Sequence, residues 1–193
     1  MKFGQIILIA IVSIFISSCA TTKLAQQGHT AYNNGQYSEA LTAYEQFIKS
    51  QAGKKSAALD TVFFKAGMAC MELNKTELAR KYFEAAEDNQ LEIPELYASL
   101  AKIYKGIDNL SMELDALEHY NATFPNGKQI NEINGRLFDA YVESEQWVKA
   151  QELWPSIEET AGNDLKKLSG LFAVYEELNK VEEGDKLAIK ILK

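Results

Sequence analysis

Residues 28–47 read GHTAYNNGQYSEALTAYEQF, and the stretch encodes two helices with a turn between them. Before the turn, Gly28 and Ala31 are small and Tyr32 is large. After it, Ala40, Tyr44 and Phe47 recur at spacings of four and three, which put three side chains on one face of a helix. Asn33, Asn34 and Gly35 in the middle are residues that end a helix and reverse the chain, glycine because it tolerates left-handed backbone. One such pair cannot bury its apolar face alone, so the pattern demands neighbours of the same kind.

Those neighbours are present. The triplet Ala40, Tyr44, Phe47 returns as Ala79, Phe83, Ala86, then Glu113, Leu117, Tyr120, then Ala150, Trp154, Ile157, then Gly184, Ala188, Ile191, and the first members lie 39, 34, 37 and 34 residues apart. The helix before each triplet repeats too: Leu24, Gln27, Gly28, Ala31; Phe63, Ala66, Gly67, Cys70; Tyr97, Leu100, Ala101, Tyr104; Asn134, Leu137, Phe138, Tyr141; Leu168, Leu171, Phe172, Tyr175. Gly35, Asn74, Asp108, Glu145 and Asn179 stand at the five turns. Glu113 and Asn134 are the departures, a charge where a small residue is usual and an amide where a bulky one is usual.

This pattern resembles the tetratricopeptide repeat, over about residues 22–193 and most closely at Gly28–Phe47. The resemblance implies an all-α fold, a right-handed superhelical solenoid of about five TPR helix-turn-helix pairs. The longer first spacing is taken up by Gln51-Ala52-Gly53-Lys54-Lys55-Ser56, a polar loop. Pro125 and the Asn126-Gly127 turn precede the fourth pair, and Pro155 is expected to bend or end that pair's second helix. The last helix carries Glu182, Glu183, Asp185, Lys186 and Lys190 and is expected to act as the polar cap that such arrays need.

The first residues set the expected compartment. Lys2 precedes an apolar run from Gln5 to Ile16, short for a membrane span and suited to a signal peptide. Ile16-Ser17-Ser18-Cys19 resembles the lipobox of bacterial lipoproteins, in which the cysteine is lipidated and becomes the new N-terminus. The division this implies is a signal peptide at 1–18, a lipidated tether at 19–22 and the repeat domain at 23–193. Multiple acyl chains hold a protein firmly on a bilayer, and Ala20-Thr21-Thr22-Lys23 carries no acidic sorting signal. The expected location is the outer membrane, lipid-anchored and facing the periplasm. With Cys19 consumed, Cys70 has no partner for a disulfide and is read as a small packing residue.

Charge excludes one class of partner. The full chain carries −7; without the segment before Cys19, whose only charged side chain is Lys2, 19 basic and 27 acidic residues remain, or −8. Nucleic acid is not expected, because phosphate binding needs clustered Lys and Arg. His29 and His119 lie in different repeats without metal-ligand spacing. The acidic neighbours Glu158-Glu159, Glu176-Glu177 and Glu182-Glu183 point about 100° apart on their helices, which fits solvated faces. No metal or cofactor is expected beyond the covalent lipid, and no catalysis.

In the tetratricopeptide family the inner groove is lined by first-helix residues outside the repeat signature. Carried onto this chain they are Ala25, His29, Tyr32; Phe64, Met68, Met71; Ala98, Lys102, Lys105; Gly135, Asp139, Val142; and Ser169, Ala173, Glu176. The partner-binding candidates among them are His29, Tyr32, Phe64, Met68, Met71, Lys102 and Lys105. Met and aromatic side chains make adaptable apolar contacts, and the lysines attract acidic residues. The family's carboxylate clamp needs Lys and Asn where the first pair has Ala25 and His29, so that mode is not expected. The function implied is a scaffold or adaptor binding a protein or peptide partner in an envelope assembly, secretion or uptake complex. The chain is loosely similar to the TPR lipoprotein of the outer-membrane β-barrel assembly machinery. The alternative is a binding module for a small ligand or glycan on the aromatics of the groove.

Overall fold

The computed structural model describes residues 22–192, all helix and connecting turns. The signal peptide and Cys19 lie outside the described residues. Thr22, assigned to the tether by sequence, already belongs to the first helix. The pairs are α1 (22–33) with α2 (Tyr37–Ser50), α3 (Ala57–Glu72) with α4 (Thr76–Asp88), α5 (Pro94–Gly106) with α6 (Leu110–Thr123), α7 (Ile130–Glu143) with α8 (Trp147–Leu153), and α10 (Leu165–Glu177) with α11 (Val181–Ile191). A short α9 (Glu158–Ala161) follows α8. They form two compact units, one closing at Glu92 and the other running from Ile93.

Within each pair one register rule recurs. The residue at the close-approach position of the first helix meets a residue sixteen places later in three pairs, Gly28 and Tyr44, Gly67 and Phe83, and Phe138 and Trp154; Ala101 and Leu117 are both buried at the same spacing, and Phe172 and Ala188 hold it in sequence. In the first unit the rule is satisfied by a ring lying on bare backbone. A Cβ on Gly28 would sit 2.4 Å from the Tyr44 ring, and one on Gly67 would sit 2.5 Å from the Phe83 ring. In the second unit the sizes shift, and the rings of Phe138 and Trp154 meet at 5.4 Å. Two rings in place of one ring on a glycine change how the space between paired helices is filled while the spacing in sequence stays the same.

The five turns share a hydrogen-bond pattern as well as a position. The N–H after each turn residue returns to a carbonyl five residues back: Gln36 to Ala31, Lys75 to Cys70, Asn109 to Tyr104, Gln146 to Tyr141 and Lys180 to Tyr175, at 2.8–2.9 Å. The turn residue itself is left-handed in every case, with φ of +74° at Gly35, +56° at Asn74, +53° at Asp108, +59° at Glu145 and +54° at Asn179. This is the Schellman ending, which satisfies carbonyls the helix leaves open. Glycine, Asn and Asp adopt that backbone cheaply, whereas Glu145 does so at a cost.

The departures are absorbed locally. α8 stops at Leu153, a 3-10 turn spans Trp154–Ser156 around Pro155, and α9 follows, as the proline required. The register survives the break, for Ala150, Trp154 and Ile157 are all buried. Glu113 is only 2% exposed, and its carboxylate pairs with Arg136 at 3.3 Å and Lys105 at 3.8 Å. Buried Asn134 accepts from Asn121 and donates to Ser156 Oγ at 3.2 Å. The last helix is less polar than a cap should be: Val181, Ile189 and Leu192 are exposed beside its charges. No helix among the described residues is long and apolar enough to cross a membrane.

Candidate interaction surface

In the first unit, α1 and α3 meet where Lys65 lies over Tyr32, and side chains of both helices share one stripe there. Lys65, Met68 and Glu72 follow each other at spacings of three and four and so share a face of α3. That face meets α1, because the Lys65 ammonium lies over the Tyr32 ring, 5.5 Å from its centroid. Burial and then the charge of Glu72 push the Tyr32 hydroxyl above its ordinary pKa. Tyr32 is also edge-on to Tyr37, at 5.3 Å. Tyr32, Lys65, Met68 and Met71 are half-buried and Glu72 is exposed. The result is an aromatic and thioether strip with a cation and an anion along it.

His29 is tied inward. Its Nδ1 lies 2.9 Å from the Tyr44 hydroxyl, and the two rings pack at 5.4 Å. Partial burial and the nearby Lys65 charge lower its pKa, so it is a neutral packing group at pH 7 and offers a partner only an edge. Burial and the neighbouring Tyr32 raise the Tyr44 hydroxyl well above its usual value.

Phe64 is corrected by the structure. Expected to line the groove, it is 7% exposed and packs on Phe83, ring centroids 5.7 Å apart. The cause is its place one turn ahead of Gly67: where Gly67 lets Phe83 come against α3, Phe64 closes over the same ring. The other pairs carry Ala25, Ala98, Gly135 or Ser169 there, none large enough to do so.

The corresponding positions of the second unit are differently disposed. Lys102 is exposed. Lys105, half-exposed, is engaged with the buried Glu113. Asp139 receives both Lys166 and Lys167 from α10, and Lys167 further donates to the Gly135 carbonyl and lies over the Phe138 ring. The signal for Lys167 was in the sequence only as one of two adjacent lysines in the first turn of α10, with nothing to aim it at α7.

Among the described residues, no group of three His, Cys, Asp or Glu side chains is placed to hold a metal ion. Cys70 is fully buried, and that burial pushes its thiol up to about 11, so it is not a nucleophile at neutral pH. His119 lies stacked on Tyr97 at 3.9 Å.

Sequence comparison finds the tetratricopeptide repeat at residues 24–53 and 61–90. Those two stretches are tetratricopeptide repeats. Its fold is similar to solved tetratricopeptide proteins: to MamA AMB-1, with a TM-score of 0.66 at 15% identity over 90% of this chain and 91% of that one; and to YrrB, described as a TPR protein with an unusual peptide-binding site, with 0.68 at 13% identity over 88% and 83%. Another MamA structure gives 0.64 at 19% identity over 89% and 90%. At these identities the likeness concerns the fold. Among curated proteins none matches the sequence.

Proposed function

We propose that the chain is a non-enzymatic scaffold, held on a bilayer by lipid at Cys19, which grips a protein or peptide partner with the α1/α3 stripe. The observation that carries the reading is the juxtaposition of Tyr32 with Lys65, Met68 and Glu72 on two adjacent first helices. An extended or helical segment laid along that stripe would bury its apolar side chains on Tyr32, Met68 and Met71 and find a charge of either sign beside them. YrrB provides a precedent for peptide binding on this fold. The lipobox-like Ser17-Ser18-Cys19 and the apolar run before it support a tethered chain on the periplasmic face of the outer membrane. The partner would then be a protein of an envelope assembly, secretion or uptake complex. The rival reading, a small-ligand or glycan site, needs Tyr32 and Phe64 as a shared platform, and Phe64 is committed to the core.

The test is crosslinking with mass spectrometry in native cells, comparing wild type with Tyr32→Glu and Cys19→Ala. One envelope protein should crosslink to wild type and be lost in Tyr32→Glu. Cys19→Ala should abolish lipid labelling and release the chain from the membrane fraction. A wild-type chain that captures no protein, or whose capture is unchanged by Tyr32→Glu, contradicts the scaffold reading. An unlabelled, soluble wild-type chain contradicts the tether.

A further inference from the structure

The insertion that lengthens the first repeat builds a second feature of the first unit. Gln51 to Lys55, with a left-handed Gly53 (φ +77°) and a Lys54 N–H bonded to the Gln51 carbonyl at 2.9 Å, folds back over the end of α2. Beneath it lies a cleft of about 460 Å³ whose floor is Ile48, Leu59 and Phe63 and whose rim carries Lys49, Lys54 and Lys55. Cleft volumes of several hundred Å³ suit a ligand of a few side chains. The three lysines are exposed, and none takes part in an ion pair among the described residues. Asp60 follows Leu59 and lies within electrostatic reach of Lys55. Its carboxyl is raised by burial, with its own backbone N–H and Lys55 pulling the other way. The positive rim over an apolar floor carries the sign opposite to the chain's net charge of −7.

We infer that this cleft docks an acidic peptide segment that carries a large apolar side chain: the side chain enters between Ile48, Leu59 and Phe63, and flanking carboxylates meet Lys49, Lys54 and Lys55. Charge complementarity selects the occupant, since an apolar peptide would draw no attraction from the three ammonium groups and a basic one would be repelled. The cleft shares no residue with the α1/α3 stripe, so the two surfaces fail or stand separately.

The experiment uses the ¹⁵N-labelled full chain and a synthetic peptide in which glutamates flank one phenylalanine and one leucine. Its controls are the lysine-for-glutamate counterpart and phosphatidylglycerol vesicles. The glutamate peptide should shift the Gly53 amide resonance, bind on the order of tenfold more weakly to the Lys49→Gln/Lys54→Gln/Lys55→Gln variant, and lose affinity as salt rises. Tyr32→Ala should bind it as wild type does. These lysines are exposed, so circular dichroism of the triple variant should match wild type. Absence of a shift at about millimolar peptide, equal binding by the triple variant, or equal binding of the lysine peptide overturns the inference. Lysine-dependent capture of the vesicles without peptide binding overturns it too, and assigns the rim to a membrane surface.

Discussion

The first helices of the two units hold corresponding positions and use them in different ways. In the first unit, Tyr32, Met68 and Met71 keep part of their surface exposed beside Lys65 and Glu72. In the second, Lys105 is drawn to Glu113, and Asp139 and the Gly135 carbonyl are taken by lysines of α10. The interior differs in parallel. The first unit packs rings on glycine, Tyr44 on Gly28 and Phe83 on Gly67, while the second carries Ala101, Phe138 and Phe172 at the glycine position and adds an ion pair on the buried Glu113 and a buried amide, Asn134. A face whose side chains already satisfy one another has little left for a partner. The unit with the plainest repeats is therefore the one with the available face.

The largest expected effect tests the interior. Phe83→Ala should cost about 3–5 kcal/mol in chemical denaturation, because Phe83 is fully buried and its loss opens a cavity over Gly67. Gly67→Phe alone should be comparably damaging, since even a Cβ there collides with the Phe83 ring. Together the two reproduce the bulky-then-small order of Phe172 and Ala188. The double variant should be clearly more stable than the sum of the singles, and an additive result would break the sixteen-residue rule.

Next comes the buried ion pair. Arg136→Ala should cost about 3 kcal/mol, because it leaves the Glu113 carboxylate buried with only the more distant Lys105. Glu113→Ala, which restores the small residue of the other pairs, should cost about 1 kcal/mol or less, since Arg136 can turn to solvent. Urea midpoints of the two variants decide the order.

Much of this was legible in the sequence. All five turn residues, the break of α8 at Pro155 and the buried triplets of the first four pairs follow from spacing and from the backbone preferences of Gly, Asn, Asp and Pro; in the fifth, Gly184 is buried but Leu187 takes the core place expected of Ala188 and Ile191. Glu113 and Asn134 were visible as departures, but their partners Arg136, Asn121 and Ser156 sit 13 to 23 residues away, and no local period points to them. Phe64 was misassigned for a related reason. Helical periodicity gives the face a residue occupies, whereas its burial depends on the size of the residue it meets on another helix.

Two smaller effects sharpen the comparison. Glu145→Gly should stabilise the second unit by about 1 kcal/mol, read as a rise in Tm, because it removes the Cβ that crowds the backbone carbonyl in a left-handed turn. The smallest effect is on pH dependence. Burial raises the Glu118 carboxyl, but hydrogen bonds from Lys149 and Tyr141 outweigh it and hold the group below its ordinary 4.5. A depressed carboxylate contributes stability above its unfolded value and loses it as pH falls through the folded one. Wild type should therefore exceed Lys149→Ala in stability at pH 7, by under about 1 kcal/mol for so exposed a pair, and the difference should shrink as pH drops below 4.5.

The most direct test of the central claim, that the α1/α3 stripe is the partner's seat, is a photocrosslinking residue placed in turn at Met68, at Met71 and at exposed Lys81 on α4 of the full chain in native cells. A single protein adduct formed from Met68 and Met71 and not from Lys81 is the expected result. The same adduct from Lys81 with none from Met68 and Met71 would contradict the claim.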